Sequence, residues 1–244
     1  MASAAKVEPV ETIRAGVPPL RAGQGIHFWL RRLQSLSGTI PIGAFLLEHF
    51  ISNAFATNGS NAYNEQVRFL TSLPFVPWLE FFGIFLPILF HSFYGFYIWW
   101  RGESNVGPSY PWIGNWMYTA QRWTGIIAFI YISYHVYTMR FSGVHLMTNS
   151  AAAFTKVYEH FQNPLVVAFY FVGIIAASWH FSYGLWLFAA KWGFITGPSG
   201  QKKFGYLCLA LGLALVAIGT VTMLAFLTTP ASQVPAVTES YLIH

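Results

Sequence analysis

The chain has 244 residues, 55% of them hydrophobic and 9% charged, against roughly 45–50% and about 25% in a typical soluble domain. That balance excludes a disordered chain and speaks against a water-soluble globule. A formal charge of +5 would suggest nucleic acid in a soluble protein, but the basic residues here flank apolar runs and read as membrane orientation. The single cysteine, Cys208, lies inside such a run, so the chain offers neither a disulfide framework nor a cysteine set for an iron–sulfur cluster.

Residues 1–24 hold no apolar core of a signal peptide. The stretch Ile26 to Leu33 mixes Phe28, Trp29 and Leu30 with Arg31 and Arg32, which predicts a short interfacial helix. A hydrocarbon core of about 30 Å needs about 20 helical residues. Five segments qualify: 34–56, 78–100, 118–139, 165–190 and 204–227. Pro41 and Pro87 fall inside the first two, which a transmembrane helix tolerates when neighbours satisfy the freed carbonyl. The third is the least apolar, because Gln121 and Arg122 lie near its start. Trp123 to Met139 still spans, with Arg122 reaching back to the interface.

Five spans place the termini on opposite sides. Lys6, Arg14, Arg21, Arg31, Arg32, Arg101, Arg122, Lys191, Lys202 and Lys203 share the N-terminal side, and only Arg68, Arg140 and Lys156 the other. The N-terminal side is therefore expected to be cytoplasmic. The predicted architecture is all-α: a cytoplasmic segment 1–33, a five-helix membrane domain 34–227, and an outer tail 228–244 that contains Pro230 and Pro235 and is expected to be loosely ordered.

Four histidines fall within spans, one on each of the first four: His49, His91, His135 and His180. An ionisable side chain at membrane depth is costly and faces a bundle interior. A lone histidine reads as a hydrogen-bonded helix contact, whereas four on successive helices point to metal or haem. Counting residues from the cytoplasmic ends puts His91 and His180 ~14–15 Å deep, His135 ~18 Å and His49 ~22 Å. These depths predict an inner pair, His91 with His180, and an outer pair, His49 with His135. Two imidazoles at one level suit a six-coordinate b haem. A single four-histidine metal site suits the two levels less well.

A repeat supports the pairing. Spans 2 and 4 share H-x-x-x-G, at His91–Gly95 and His180–Gly184; spans 1 and 3 share Q-x-x-[S/T]-G, at Gln34–Gly38 and Gln121–Gly125. Glycine inside a helix costs about 1 kcal/mol against alanine, and close approach to a flat macrocycle is one reason to keep it. Small-residue helix contacts are the other. Gln34, Ser35, Arg122 and Lys191, at the cytoplasmic ends, are candidate partners for haem propionates; Arg122 and Lys191 are equally explained as positive-inside charges.

The segments RRLQSLSG, LEHF, LEFFGIFLPILFHSFYG, NWMYTAQRWTG, SYHVY and WHFSYGLWLFAAKWG closely resemble the dihaem cytochrome b membrane subunit of bacterial succinate:quinone oxidoreductases, of the single-chain, five-helix type. The resemblance covers about residues 28–227. It implies two stacked b haems, the proximal one on His91 and His180 and the distal one on His49 and His135. It also implies propionate contacts at Gln34, Ser35 and Lys191. It further implies a bacterial cytoplasmic-membrane anchor that passes electrons between a soluble iron–sulfur subunit, fed by a flavoprotein, and membrane quinone, here expected to be menaquinone. Some dihaem fumarate reductases carry a glutamate for proton transfer where this chain has Ser178, which puts that route in doubt here. Glu48 and Glu80 are the acids left within the spans. A quinone site near the outer haem is expected around Glu80 and Arg68.

Two other readings stay open: the haem subunit of another respiratory dehydrogenase, which would space its histidines differently, and a haem-free transporter with a histidine proton relay. Replacing His180 is expected to remove the haem signal nearer the cytoplasm in a reduced-minus-oxidised spectrum. Loss of the outer signal alone would contradict the pairing.

Overall fold

The computed structural model describes residues 22–102 and 112–236. Expectations that concern Lys6, Arg14, Arg21, the rest of segment 1–21 and residues 237–244 lie outside the described residues. The chain divides into two units, Met1–Leu33 and Gln34–His244. Within the first, the described residues form the start of helix α1 (Ala22–Thr39). Phe28 and Trp29 meet edge to face at 5.4 Å, and the Arg32 guanidinium lies 4.8 Å above the Phe28 ring. Ile26, Phe28, Trp29 and Leu33 are exposed. Apolar rings beside cations on one short helical stretch are what an interfacial helix requires.

In the second unit, Pro41 cannot donate a backbone hydrogen bond. The helix nevertheless carries through it: Ile40 N donates to Leu36 O (2.9 Å) and Ala44 N to Ile40 O (3.0 Å). The predicted first span is thus a helix divided at Ile40, continuing as α2 (Pro41–Ala54). After α3 (Ser60–Thr71) comes α4 (Val76–Arg101), whose stretch Leu79–Phe85 is π-helical. That widening comes just before Pro87, whose missing N–H interrupts the ordinary ladder. Helix α5 (Ile113–Val136) ends in a second π turn, Tyr137–Phe141. Next come α6 (Ala153–His160), α7 (Pro164–Lys191) and α8 (Pro198–Thr228). The start of α7 is set by Asn163, whose side chain accepts from Leu165 N at 3.0 Å, with Pro164 in the first turn.

All regular elements among the described residues are helical. Three helices, α4, α7 and α8, are long and apolar enough to cross a membrane. α5 carries Asn115, Thr119, Gln121 and Arg122 in its first half, which lowers its hydropathy. α7 packs along α5 on one side and α8 on the other, and α8 also meets α2; α4 touches α2 and α5 only lightly. On α4 the residues Leu86, Leu89, Phe93, Tyr97 and Trp100 are exposed at helical spacing, an apolar stripe suited to lipid.

The densest packing closes the end of the bundle opposite the basic residues. Phe154 and Phe226 are essentially inaccessible (0% and 1%) and meet at 4.7 Å, with Tyr63 edge-on to Phe226 at 5.2 Å. Polar pins hold the short helices there. Asn64 Oδ1 accepts from Phe154 N (2.8 Å), and Asn64 Nδ2 donates to Ala151 O (2.6 Å). Lys156 Nζ donates to the carbonyls of Met139, Ser142 and Val144 at 3.0, 2.6 and 2.8 Å, sealing the end of α5. Burial, and then the Arg140 charge, hold its ammonium below the ordinary lysine range.

The tail is not loose over its described part. A 3₁₀ turn, Ala231–Gln233, follows Pro230, Val234 packs on the core, and Thr155 Oγ1 donates to Pro235 O at 2.7 Å. The prolines end α8 but leave carbonyls for side chains to bind. Truncating Phe154 to alanine is expected to cost about 3–5 kcal/mol, read as an earlier thermal loss of helicity in detergent. An unchanged midpoint would contradict this account of the core.

Candidate functional site: two histidine pairs

The inner pair is assembled from α4 and α7. The His91 and His180 ring centroids are 6.0 Å apart with planes at 89°. His91 Nδ1 lies 2.9 Å from Gln34 O, and His180 Nδ1 lies 3.0 Å from Gln121 O. A carbonyl only accepts, so each Nδ1 carries the proton and each Nε2 keeps a lone pair. This is the support that metal-ligating imidazoles ordinarily have.

The two helix pairs that build this arrangement are alike. A Cβ at Gly38 would overlap the His91 ring, and one at Gly125 would lie 2.8 Å from His180 Cε1. Facing them, a Cβ at Gly95 would sit 3.6 Å from Gln34 Nε2, and one at Gly184 3.2 Å from Gln121 Nε2. Gln121 Nε2 also donates to His180 O at 2.9 Å. Each H-x-x-x-G helix therefore interlocks with a Q-x-x-[S/T]-G helix, histidine onto glycine and glutamine onto glycine. At Gly38 and Gly125 the flat neighbour that excludes a side chain is an imidazole.

The outer pair joins α2 and α5. The His49 and His135 centroids are 5.6 Å apart with planes at 75°. Both line a cavity of ≈ 220 Å³ whose wall is mainly apolar, with Ser52, Asn53, Tyr63, Tyr131, Tyr170 and Thr222 as its other polar members. His135 Nδ1 lies 3.2 Å from the Tyr170 hydroxyl, and Tyr131 stacks on the same imidazole at 5.8 Å. Asn53 Nδ2 donates to His49 O (2.8 Å) and receives the Tyr63 hydroxyl at Oδ1 (3.0 Å).

Each pair has the donor chemistry an iron would need: an imidazole nitrogen binds a metal at about 2 Å, and the rings of each pair lie with centroids 6.0 and 5.6 Å apart. Among the described residues no three histidine, cysteine or glutamate side chains converge on a metal-sized site. The pairs, not a four-histidine cage, are what the bundle offers.

The remaining candidates divide. Arg122 donates to Gly102 O (3.0 Å) and to Trp99 O, and lies over the Trp99 and Tyr118 rings; it thereby caps the end of α4. Ser35 Oγ accepts from Trp192 Nε1 at 3.3 Å, and Lys191, exposed, is the last residue of α7. Arg68 and Glu80 are not brought together. Arg68 pairs loosely with Glu65 at 3.8 Å, both more than 70% exposed. Glu80 is held by Arg140, whose Nε and Nη2 approach its carboxylate at 2.9–3.3 Å and link the two π turns. Neither Glu80 nor Arg68 lines the cavity. Glu48 accepts from Ser52 Oγ, which in turn accepts from Gln66 Nε2 at 3.2 Å. Ser178 is fully buried on the seam where Gly212 of α8 meets α7.

Tyr170 and Arg140 carry contacts that motif reading missed. A tyrosine within an apolar span needs a partner for its hydroxyl, and that was the available signal for Tyr170.

A helical, membrane-type bundle whose interior carries paired imidazoles at two levels defines the class of this protein. The family model described as "Succinate dehydrogenase/Fumarate reductase transmembrane subunit" matches residues 106–219. The succinate dehydrogenase cytochrome b558 subunit of Bacillus subtilis (strain 168) is 38% identical over 200 residues, covering 82% of this chain and 97% of that protein. The chain belongs to this family of succinate dehydrogenase and fumarate reductase transmembrane subunits.

Gly38→Ala and Gly125→Ala are each expected to abolish the inner haem signal while the outer signal survives. Gly95→Ala, where the contact is ordinary, should leave both. Equal effects at all three positions would contradict the interlocking described here. Ser178→Ala should likewise retain both signals.

Proposed function

We propose that the chain is the membrane anchor and dihaem electron conduit of a succinate:quinone oxidoreductase. In this reading it connects a cytoplasmic iron–sulfur subunit, and the flavoprotein behind it, to membrane quinone. The observation that carries the reading is the pair of imidazole pairs, with ring centroids at 6.0 and 5.6 Å. Family membership supplies the complex, and the name of the Bacillus subtilis relative, a cytochrome b558, agrees with b haem.

The chain's residues have separable tasks. His91 with His180, and His49 with His135, would each hold one haem iron through their imidazoles. The Gln34 and Gln121 carbonyls hold the inner imidazoles in the ligating tautomer. Gly38 and Gly125 let the helices close on those imidazoles, and Gly95 and Gly184 admit the glutamine side chains. Gln34, Ser35, Arg122 and Lys191 share the basic end, where carboxylates of the prosthetic group would find donors. When bound, a b haem with both axial positions filled by imidazole exchanges single electrons and leaves no open site for oxygen.

Five membrane passages complete the reading: the first span, helical through residues 34–39 and α2, and α5 cross alongside α4, α7 and α8. The basic end, with Arg101, Arg122, Lys191, Lys202 and Lys203, faces the bacterial cytoplasm. Quinone, of the menaquinone type, is bound on the opposite side near the outer pair. Glu80, with Arg140 in place of Arg68, is the charged partner available there.

Succinate added to the assembled complex is expected to reduce the b haem in two components, seen as a rise of the α-band absorbance. Haem that dithionite reduces and succinate leaves untouched would contradict the conduit.

A further inference from the structure

The two pairs differ in what holds their outward-facing nitrogens. Both inner imidazoles end on main-chain carbonyls, at 2.9 and 3.0 Å, acceptors that no side-chain change can alter. His135 ends on a phenol, at 3.2 Å. That phenol is immobilised: Tyr170 is 4% exposed and is wedged edge-on between Phe161 at 5.0 Å and Tyr131 at 5.2 Å. Tyr131 is itself pressed on Gly173, where a Cβ would overlap its ring.

A hydroxyl can accept or donate, and here the direction has consequences. Were Tyr170 to donate to Nδ1, the histidine proton would sit on Nε2 and the imidazole could not ligate. When Tyr170 accepts, Nε2 keeps its lone pair, and the hydrogen bond makes the imidazole a stronger donor to a metal. A stronger axial donor favours the ferric state, so the bond lowers the potential of the group it supports.

We propose that Tyr170 is a positioning residue for His135 that sets the redox potential of the outer site independently of the inner one. The inference rests on the two-haem reading above. Tyr170→Phe keeps the ring packing and removes the hydroxyl, with its bonds to His135 and to Thr138. Incorporating 3-fluorotyrosine at position 170 keeps the hydroxyl and weakens it as an acceptor.

The experiment is a spectroelectrochemical titration of the assembled complex, with the outer component assigned as the one a His135→Ala variant lacks. In Tyr170→Phe the outer midpoint should move to more positive potential, with both haems retained and the inner midpoint unmoved. The fluorinated protein should shift the same component the same way by less. Tyr206→Phe, which removes an exposed phenol on α8, should shift neither. An unmoved outer midpoint in a chain holding two haems, or equal movement of both, overturns the role of Tyr170. A native chain holding fewer than two haems overturns the reading beneath it instead.

Discussion

An imidazole in the middle of an apolar helix has two nitrogens, and a single backbone carbonyl can satisfy only one. The bond from His91 Nδ1 to Gln34 O, with its counterpart from His180 to Gln121, decides what the other nitrogen does. With Nδ1 holding the proton, the Nε2 of each ring keeps its lone pair. Burying such a lone pair in hydrocarbon is unfavourable without a partner, and an electron-pair acceptor between the rings removes the cost. The glycines follow from the same bond. A histidine can reach a carbonyl on a neighbouring helix only where that helix has no side chain in the way, which is the condition met at Gly38 and Gly125.

The bundle gains a division of labour from this. The end holding α3, α6 and the residues up to Pro235 is packed by aromatic rings and pinned by Asn64, Thr155 and Lys156. Its stability comes from protein contacts. Around α4 the protein contacts are sparse, and the interlock of histidine, glutamine and glycine is the main tie visible there. A prosthetic group at the inner level would therefore contribute to holding α4 against α7 as well as carrying electrons, because binding energy selective for the folded state is also stability.

Much of this was legible in the sequence, and for identifiable reasons. Depth along a helix follows from a rise of about 1.5 Å per residue, so counting from span ends paired His91 with His180 and His49 with His135 as they are found in space. The repeated spacings of His, Gln and Gly marked the right residues but not their partners, because spacing reveals a face and not what packs on it. Side-chain reach across helices was beyond reading: Arg140 takes the carboxylate of Glu80, and Arg68 points into solvent. Over its described residues, to 236, the tail is more ordered than expected, since proline and polar composition report only the absence of helix, and a carbonyl such as Pro235 O binds without any side-chain signature.

The claim on which the account depends is that each imidazole pair grips its own iron porphyrin. Haem quantitation on the purified chain, by the spectrum of the extracted pyridine complex set against protein concentration, tests it directly. The account predicts two b haems per chain with a low-spin absorption spectrum. One haem, none, or a high-spin spectrum with an open axial position would contradict it.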